Sequence, residues 1–72
     1  QYTIEGGTTI RDVNKTLGWD LPTNGPKTLN GLLIEHLDII PEQPVSCQIG
    51  KFRFEVTALE ENRITQVTCW ET

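Results

Sequence analysis

Methionine is missing from this chain of 72 residues, which begins with Gln1. Because translation starts with methionine, the sequence predicts a fragment of a larger protein that forms one domain over residues 1–72. No apolar run approaches the roughly 20 residues that a membrane-spanning helix needs. We therefore expect no direct membrane insertion by this segment.

Basic residues are also scarce, since six Lys and Arg stand against ten Asp and Glu, a formal net charge of −4. The six are dispersed along the chain and form no dense cluster. DNA and RNA present phosphates, and anionic lipids present a negative surface, so both would repel such a chain. The charge excludes nucleic acid as an expected partner and disfavours binding to an anionic membrane surface.

Residues that usually carry chemistry are few. His36 is the only histidine, and no pattern supplies it with an acid–base partner. We therefore expect a structural histidine, packed or partly exposed, on the apolar face of the second helix or at its edge. Cys47 and Cys69 are the only cysteines; buried reduced thiols are the favoured interpretation, and one disulfide is the alternative. The acidic residues lack the spacing of a zinc or calcium site. We predict no catalytic residues, no metal ligands and no enzyme activity.

Two short helices are expected after an N-terminal strand. Thr9 and Gly18 are the predicted N-cap and C-cap of the first helix. Thr28 caps the second, which should end before Pro41 because the residue before proline avoids the helical region. Gly31 within the second helix predicts a close backbone approach. The expected ranges are 2–5 for the strand, 10–17 for the first helix and 29–40 for the second.

The last third of the chain alternates apolar and polar residues and predicts a meander of three strands, at about 45–49, 52–58 and 64–70. A type II′ turn at Gly50 joins the first two, and Asn62 is the expected positive-φ residue of the next turn. Val67 and Cys69 share one face of the final strand. Ile64 falls on the other face unless a β-bulge intervenes.

Taken together, the elements predict an α+β fold of two layers. The order is strand, helix, helix and a three-strand meander, with both helices on one face of a small, mostly antiparallel sheet. Neither the helices nor the sheet can bury an apolar side alone, so they must pack on each other.

Two tryptophans are the candidate contacts with a partner. Trp19 follows the first helix, beside Leu21, where core packing is the stronger interpretation. Trp70 alternates with Val67 and Cys69 and so lies on the opposite face of the last strand. It is either an apolar contact that awaits a partner or a residue packed at the sheet edge.

The motifs of the chain, taken in order, resemble the CorC/HlyC transporter-associated domain, and the resemblance covers nearly the whole chain. The match rests on a set of motifs in order and on no single short signature. Its three parts are Tyr2-x-Ile4-x-Gly6 with Ile10-Arg11-Asp12-Val13-Asn14, Leu17-Gly18 and Leu21-Pro22; Thr28-Leu29-x-Gly31-Leu32 with Leu37 and Ile40-Pro41; and Phe52-Arg53-Phe54-Glu55-Val56 with Arg63-Ile64.

The resemblance implies a C-terminal cytosolic domain of bacterial inner-membrane proteins, placed after a membrane domain and a pair of CBS domains. Those proteins are associated with magnesium and cobalt efflux, and some are named hemolysins. An accessory or regulatory role follows, exerted through contacts with the CBS pair and membrane domain or through a homodimer.

The family fold is similar to that of FAD-binding domains of the PCMH type, which leaves flavin or adenine-nucleotide binding as an alternative. No cofactor-binding residues can be assigned from it, and no cofactor is expected in the isolated domain. The chain departs from the family pattern at Asp38-Ile39, where a Gly-Arg pair is common, and at Trp70, where an aliphatic residue is common.

Overall fold

The computed structural model describes residues 1–72 as a four-stranded antiparallel sheet with two helices on one face. The strand order is β1-β4-β3-β2, so the first strand lies beside the last and forms one edge of the sheet. The predicted two-layer α+β fold is confirmed. The elements are β1 (Tyr2–Glu5), α1 (Ile10–Leu17), α2 (Leu29–Leu37), β2 (Ser46–Ile49), β3 (Phe52–Glu60) and β4 (Arg63–Glu71).

Side-chain caps fix where both helices begin. The Thr9 hydroxyl accepts a hydrogen bond from the Asp12 amide, and the Thr28 hydroxyl accepts one from the Gly31 amide, each at 3.2 Å. Each hydroxyl satisfies one of the amides that a helix start leaves without a backbone partner. Gly18 ends α1 in the left-handed conformation at φ 71°, as predicted.

The end of α2 comes earlier than the sequence suggested. The helix stops at Leu37, and Asp38 takes a left-handed cap conformation at φ 64°, with its amide donating to the Ile34 carbonyl. Asp tolerates this region better than a β-branched residue does. The expectation that Pro41 ends the helix was therefore wrong, because the chain has already left the helix three residues before it.

The long hairpin of β3 and β4 contains the bulge that the sequence left open. The register shifts between Val56 and Ala58 and again between Ala58 and Leu59. The shifts turn Ile64 to the same side as Val67, and these side chains are 1% and 0% exposed although they lie three residues apart. The alternative with a bulge is confirmed.

The core lies between the helices and the inner face of the sheet. The Asn14 side chain holds the loop after α1 in place, because its amide nitrogen donates to the Leu21 carbonyl and its oxygen accepts from the Leu21 amide. Gly31 allows a close approach, but of a side chain and not of the predicted backbone, since a Cβ there would lie 3.0 Å from the Pro26 Cβ. The buried apolar cluster comprises Ile10, Val13, Trp19, Leu21, Leu29, Leu32, Leu33, Phe52, Phe54, Val56, Ile64, Val67 and Cys69.

Candidate interaction surface

The outer face of the sheet carries no helix, because α1 and α2 both pack on the inner face. Side chains alternate between the two faces along each strand. The registers align the outer side chains of the four strands in rows: one row holds Thr3, Thr68, Glu55 and Ser46, and the next holds Trp70, Arg53 and Gln48. We call these residues, with Glu5 and Gln66, the open face.

Trp70 is the one aromatic residue of the open face. It is partly exposed, and its cross-strand neighbour is Arg53, whose guanidinium donates to the Ser46 hydroxyl at 3.3 Å. The large indole therefore lies among polar and charged side chains on a surface that no other element covers. Trp and Arg are enriched at the energetic centres of protein interfaces. The interpretation of Trp70 as a solvent-side residue agrees with its position.

Trp19, the second candidate contact, lies in the core. Its side chain is 8% exposed and stacks on Phe52, with 4.3 Å between ring centroids and 22° between planes. Phe54 meets it edge-on at 6.1 Å. A ring enclosed in this way cannot reach a partner, so the assignment of Trp19 as a contact residue was wrong and core packing is correct.

The most exposed large apolar residues are not among the contacts predicted from the sequence. Tyr2 is 47% exposed at the start of β1, and Ile39 and Ile40 are 63% and 49% exposed in the loop after α2. The isoleucines were counted toward a helix that in fact ends at Leu37. An αL cap at Asp38 was the signal that would have placed them on a surface loop.

Cys47 and Cys69 are too far apart to form a bridge. Both pair with Phe54, from opposite sides, so two strand spacings of about 4.8 Å each separate them, beyond the roughly 7 Å that a disulfide spans. Desolvation raises the pKa of the Cys69 thiol to about 11. Burial also raises the pKa of the Cys47 thiol, partly opposed by the charge of Arg53. Both thiols are free and chemically subdued, as the favoured interpretation held.

The remaining candidates for chemistry lie apart from one another. His36 is exposed on α2 and not packed at an apolar edge. No three His, Cys, Asp or Glu side chains come together as metal ligands would. The largest cleft, about 580 Å³, opens where α2 meets β4, and most of its lining residues are polar. Asn30 helps to shape it, since its side-chain oxygen accepts from the Ile64 amide at 2.7 Å.

A second groove, of about 390 Å³, runs between β1 and α1. Its apolar lining residues are Tyr2, Ile4, Val13 and Leu17, and Asp12 is its one charged side chain. This groove follows the free edge of the sheet, because β1 pairs only with β4.

Comparison with known proteins gives a family match over nearly the whole chain. The CorC_HlyC model, described as a transporter associated domain, matches residues 1–69. The chain is 36% identical over 63 residues to a UPF0053 protein of Haemophilus influenzae and 33% identical over 64 residues to the UPF0053 inner membrane protein YfjD of Escherichia coli. These matches cover 88% and 89% of the chain but only 15% of either relative.

Solved structures share the fold. A conserved protein of unknown function from Haemophilus influenzae superposes with a TM-score of 0.90 at 33% identity, covering 97% of this chain and 86% of that one. A Neisseria meningitidis region named for association with the Mg²⁺ and Co²⁺ transporter CorC gives 0.86 at 24% identity, over 97% and 86%. A CorC_HlyC domain from a Xylella fastidiosa hemolysin, in complex with Mg²⁺ and Mn²⁺, gives 0.83 at 24% identity, over 97% and 85%. Neither α1, with 8 residues, nor α2, with 9, reaches the length of a membrane-spanning helix.

Proposed function

We propose that this chain, which belongs to the CorC_HlyC family of transporter-associated domains, is a regulatory domain of a membrane-bound divalent-cation efflux protein. The family match over residues 1–69 carries the proposal. A relative named as an inner membrane protein, and a structural neighbour named for association with a Mg²⁺ and Co²⁺ transporter, support the membrane and cation context.

The proposed mode of action is contact with other domains and not chemistry. The chain spans about 15% of the length of the curated relatives it matches, so most of such a protein lies outside it. We place the domain on the cytoplasmic side of the inner membrane, against a CBS-domain pair and the membrane domain. The open face supports this role, because Trp70 and Arg53 lie together on a sheet surface that nothing covers. The proposal includes no flavin or nucleotide cofactor.

Deleting residues 1–72 from the longer protein tests the proposed function. We expect the truncated protein to reach the membrane in normal amount but to lose regulated release of Mg²⁺ and Co²⁺, measured as the metal content of cells after loading. As a control for nonspecific damage, the domain is expressed as a separate chain beside the truncated protein, and it should restore regulated metal release. Unchanged metal release after the deletion, at equal membrane abundance, would contradict the proposal.

A further inference from the structure

We infer that the free edge of β1 pairs with β1 of a second copy of this chain, across a two-fold axis at Thr3. The inference rests on the proposed contact role and names one surface that serves it. Three observations carry it: β1 has unpaired backbone groups, an apolar groove lies beside them, and one antiparallel register pairs the strand with its own copy.

The hydrogen-bond pattern shows which backbone groups of β1 are unpaired. The Gly6 amide donates to the Thr65 carbonyl, in the same register as the pairs Ile4↔Val67 and Tyr2↔Cys69. Antiparallel strands alternate bonded and non-bonded pairs, so the amides and carbonyls of Thr3 and Glu5 point away from β4. The Glu5 carbonyl accepts from the Thr8 amide, which leaves the Thr3 amide, the Thr3 carbonyl and the Glu5 amide facing the free edge.

An antiparallel second copy satisfies these groups in one register. With Thr3 opposite Thr3 of the second copy, each Thr3 amide donates to the other Thr3 carbonyl, and each Glu5 amide donates to the carbonyl of the opposing Gln1. The side chains also match by face: Tyr2 of one copy lies opposite Ile4 of the other on the inner face. A shift by one residue would place inner residues opposite outer ones, which the pleat forbids.

The groove between β1 and α1 gives the opposing Tyr2 a place to pack. Its apolar residues Ile4, Val13 and Leu17 lie on the inner side of the edge, the side from which Tyr2 of the second copy would approach. In the single chain Tyr2 meets Trp19 edge-on, with 6.2 Å between ring centroids, and still exposes 47% of its surface. Charge does not oppose the pairing, because Glu5 faces the uncharged Gln1 side chain and not a second Glu5.

The two edges of the sheet differ in their protection against such pairing. Proline and lysine are common devices that block edge strands. Neither β1 nor β2 contains proline or lysine, but at the far edge Pro44 adjoins Val45, whose carbonyl accepts from the Val56 amide and extends the pairing with β3. No such proline adjoins the paired residues of β1, and β1 has no bulge. Pairing of two short strands buries less than the roughly 1,200 Å² of a stable interface, so the dimer is weak and depends on concentration.

Introducing a charge at Thr3 tests the two-fold register, because only in that register does residue 3 lie opposite residue 3 of the second copy. Sedimentation equilibrium of the 72-residue chain from about 10 μM to about 1 mM covers the range expected of so small an interface. We expect Thr3→Lys and Thr3→Glu each to weaken association about fivefold, since like charges then lie directly opposite. An equimolar mixture of the two should associate at least as tightly as the unmodified chain. Gln48→Lys, on the open face at the far edge, is the matched control and should not change it.

Thr3→Pro provides a second variant, because it removes the outward amide without removing a bond to β4 and should abolish association. Urea unfolding of every variant confirms that the fold is retained. An unmodified chain that stays monomeric at 1 mM overturns the inference, as does an equal effect of Thr3→Lys and Gln48→Lys or a mixture that fails to associate. None of these results bears on the deletion experiment, so the inference and the proposed function fail separately.

Discussion

Gly6 is the glycine that leaves the least room for a side chain. A Cβ at Gly6 would overlap the carbonyl oxygen of Ile64 and lie 2.8 Å from its carbonyl carbon, whereas a Cβ at Gly7 would meet nothing within 4 Å. Backbone atoms of β4 cannot move without breaking the ladder, so Gly6→Ala should destabilise the fold by about 3 kcal/mol, the upper part of the range for overpacking. Urea unfolding measures it, and Gly7→Ala is the matched control. Equal effects of the two substitutions would show that the backbone at Gly6 does not lie this close to the Ile64 carbonyl.

The buried Cys69 thiol makes the free energy of unfolding depend on pH in the alkaline range. Burial raises its pKa from 9.0 to about 11, so the folded state holds the proton more tightly than the unfolded state does. That contribution is complete below pH 9 and is lost as the pH rises toward 11, because the unfolded chain then gains by ionising. The free energy of unfolding should therefore fall more steeply above pH 9 in the unmodified chain than in Cys69→Ala. If the free energy of unfolding falls equally in the unmodified chain and in Cys69→Ala from pH 8 to 11, the Cys69 thiol is not desolvated.

The two tryptophans show how far single residues could be predicted. Trp70 was placed on the outer face by alternation with Val67 and Cys69, a local rule that needs only the strand. The site of Trp19 was harder to decide, because Trp19 lies in a loop and its burial depends on the distant ring of Phe52. Contacts between residues far apart in sequence leave no periodic signal.

At the scale of elements, the turn between β3 and β4 is strained and can be improved. Glu61 and Asn62 both have positive φ, 47° and 66°, and Asn or Gly is preferred at both positions of such a two-residue turn. The left-handed conformation costs an ordinary residue about 1–2 kcal/mol and Asn less, so Glu61→Asn should stabilise the chain by about 0.5–1 kcal/mol in urea unfolding. Gly50→Ala, at φ 59° and with nothing within 4 Å of the new Cβ, should destabilise it by about 1 kcal/mol through conformation alone. A lower free energy of unfolding in Glu61→Asn would contradict the claim that Glu61 is strained in this turn.

Helix starts were more predictable than helix ends. Thr9 and Thr28 cap their helices through bonds to residues three positions away, so a local pattern contains the whole interaction. The end of α2 is not encoded so simply, because Ile39 and Ile40 extend the apolar pattern past the left-handed Asp38. The position of the β-bulge depends on which residues of β3 and β4 face each other, and that is a property of two strands together.

For the whole molecule, the sequence predicts the layers but not the strand order. The apolar pattern of each element requires helices on one face of a sheet, whatever the order of strands. Placing β1 beside β4, and thus at an edge, depends on pairing between the two ends of the chain, such as Thr3 with Thr68. For that reason the sequence could not show how far apart the two cysteines lie, nor that β1 forms a free edge of the sheet.

Trp70 tests most directly the central claim that the domain works by contact through its open face. In the longer protein, Trp70→Ala should reduce Mg²⁺ and Co²⁺ release at equal membrane abundance, because tryptophans at interface centres contribute about 2 kcal/mol or more. Urea unfolding of the 72-residue chain measures separately how much stability the substitution removes, since neighbouring side chains cover part of the indole. Lys15→Ala, at an exposed position of α1 and away from the open face, is the matched control and should leave metal release unchanged. Release at the unmodified level in Trp70→Ala, or an equal loss in both variants, would contradict the claim.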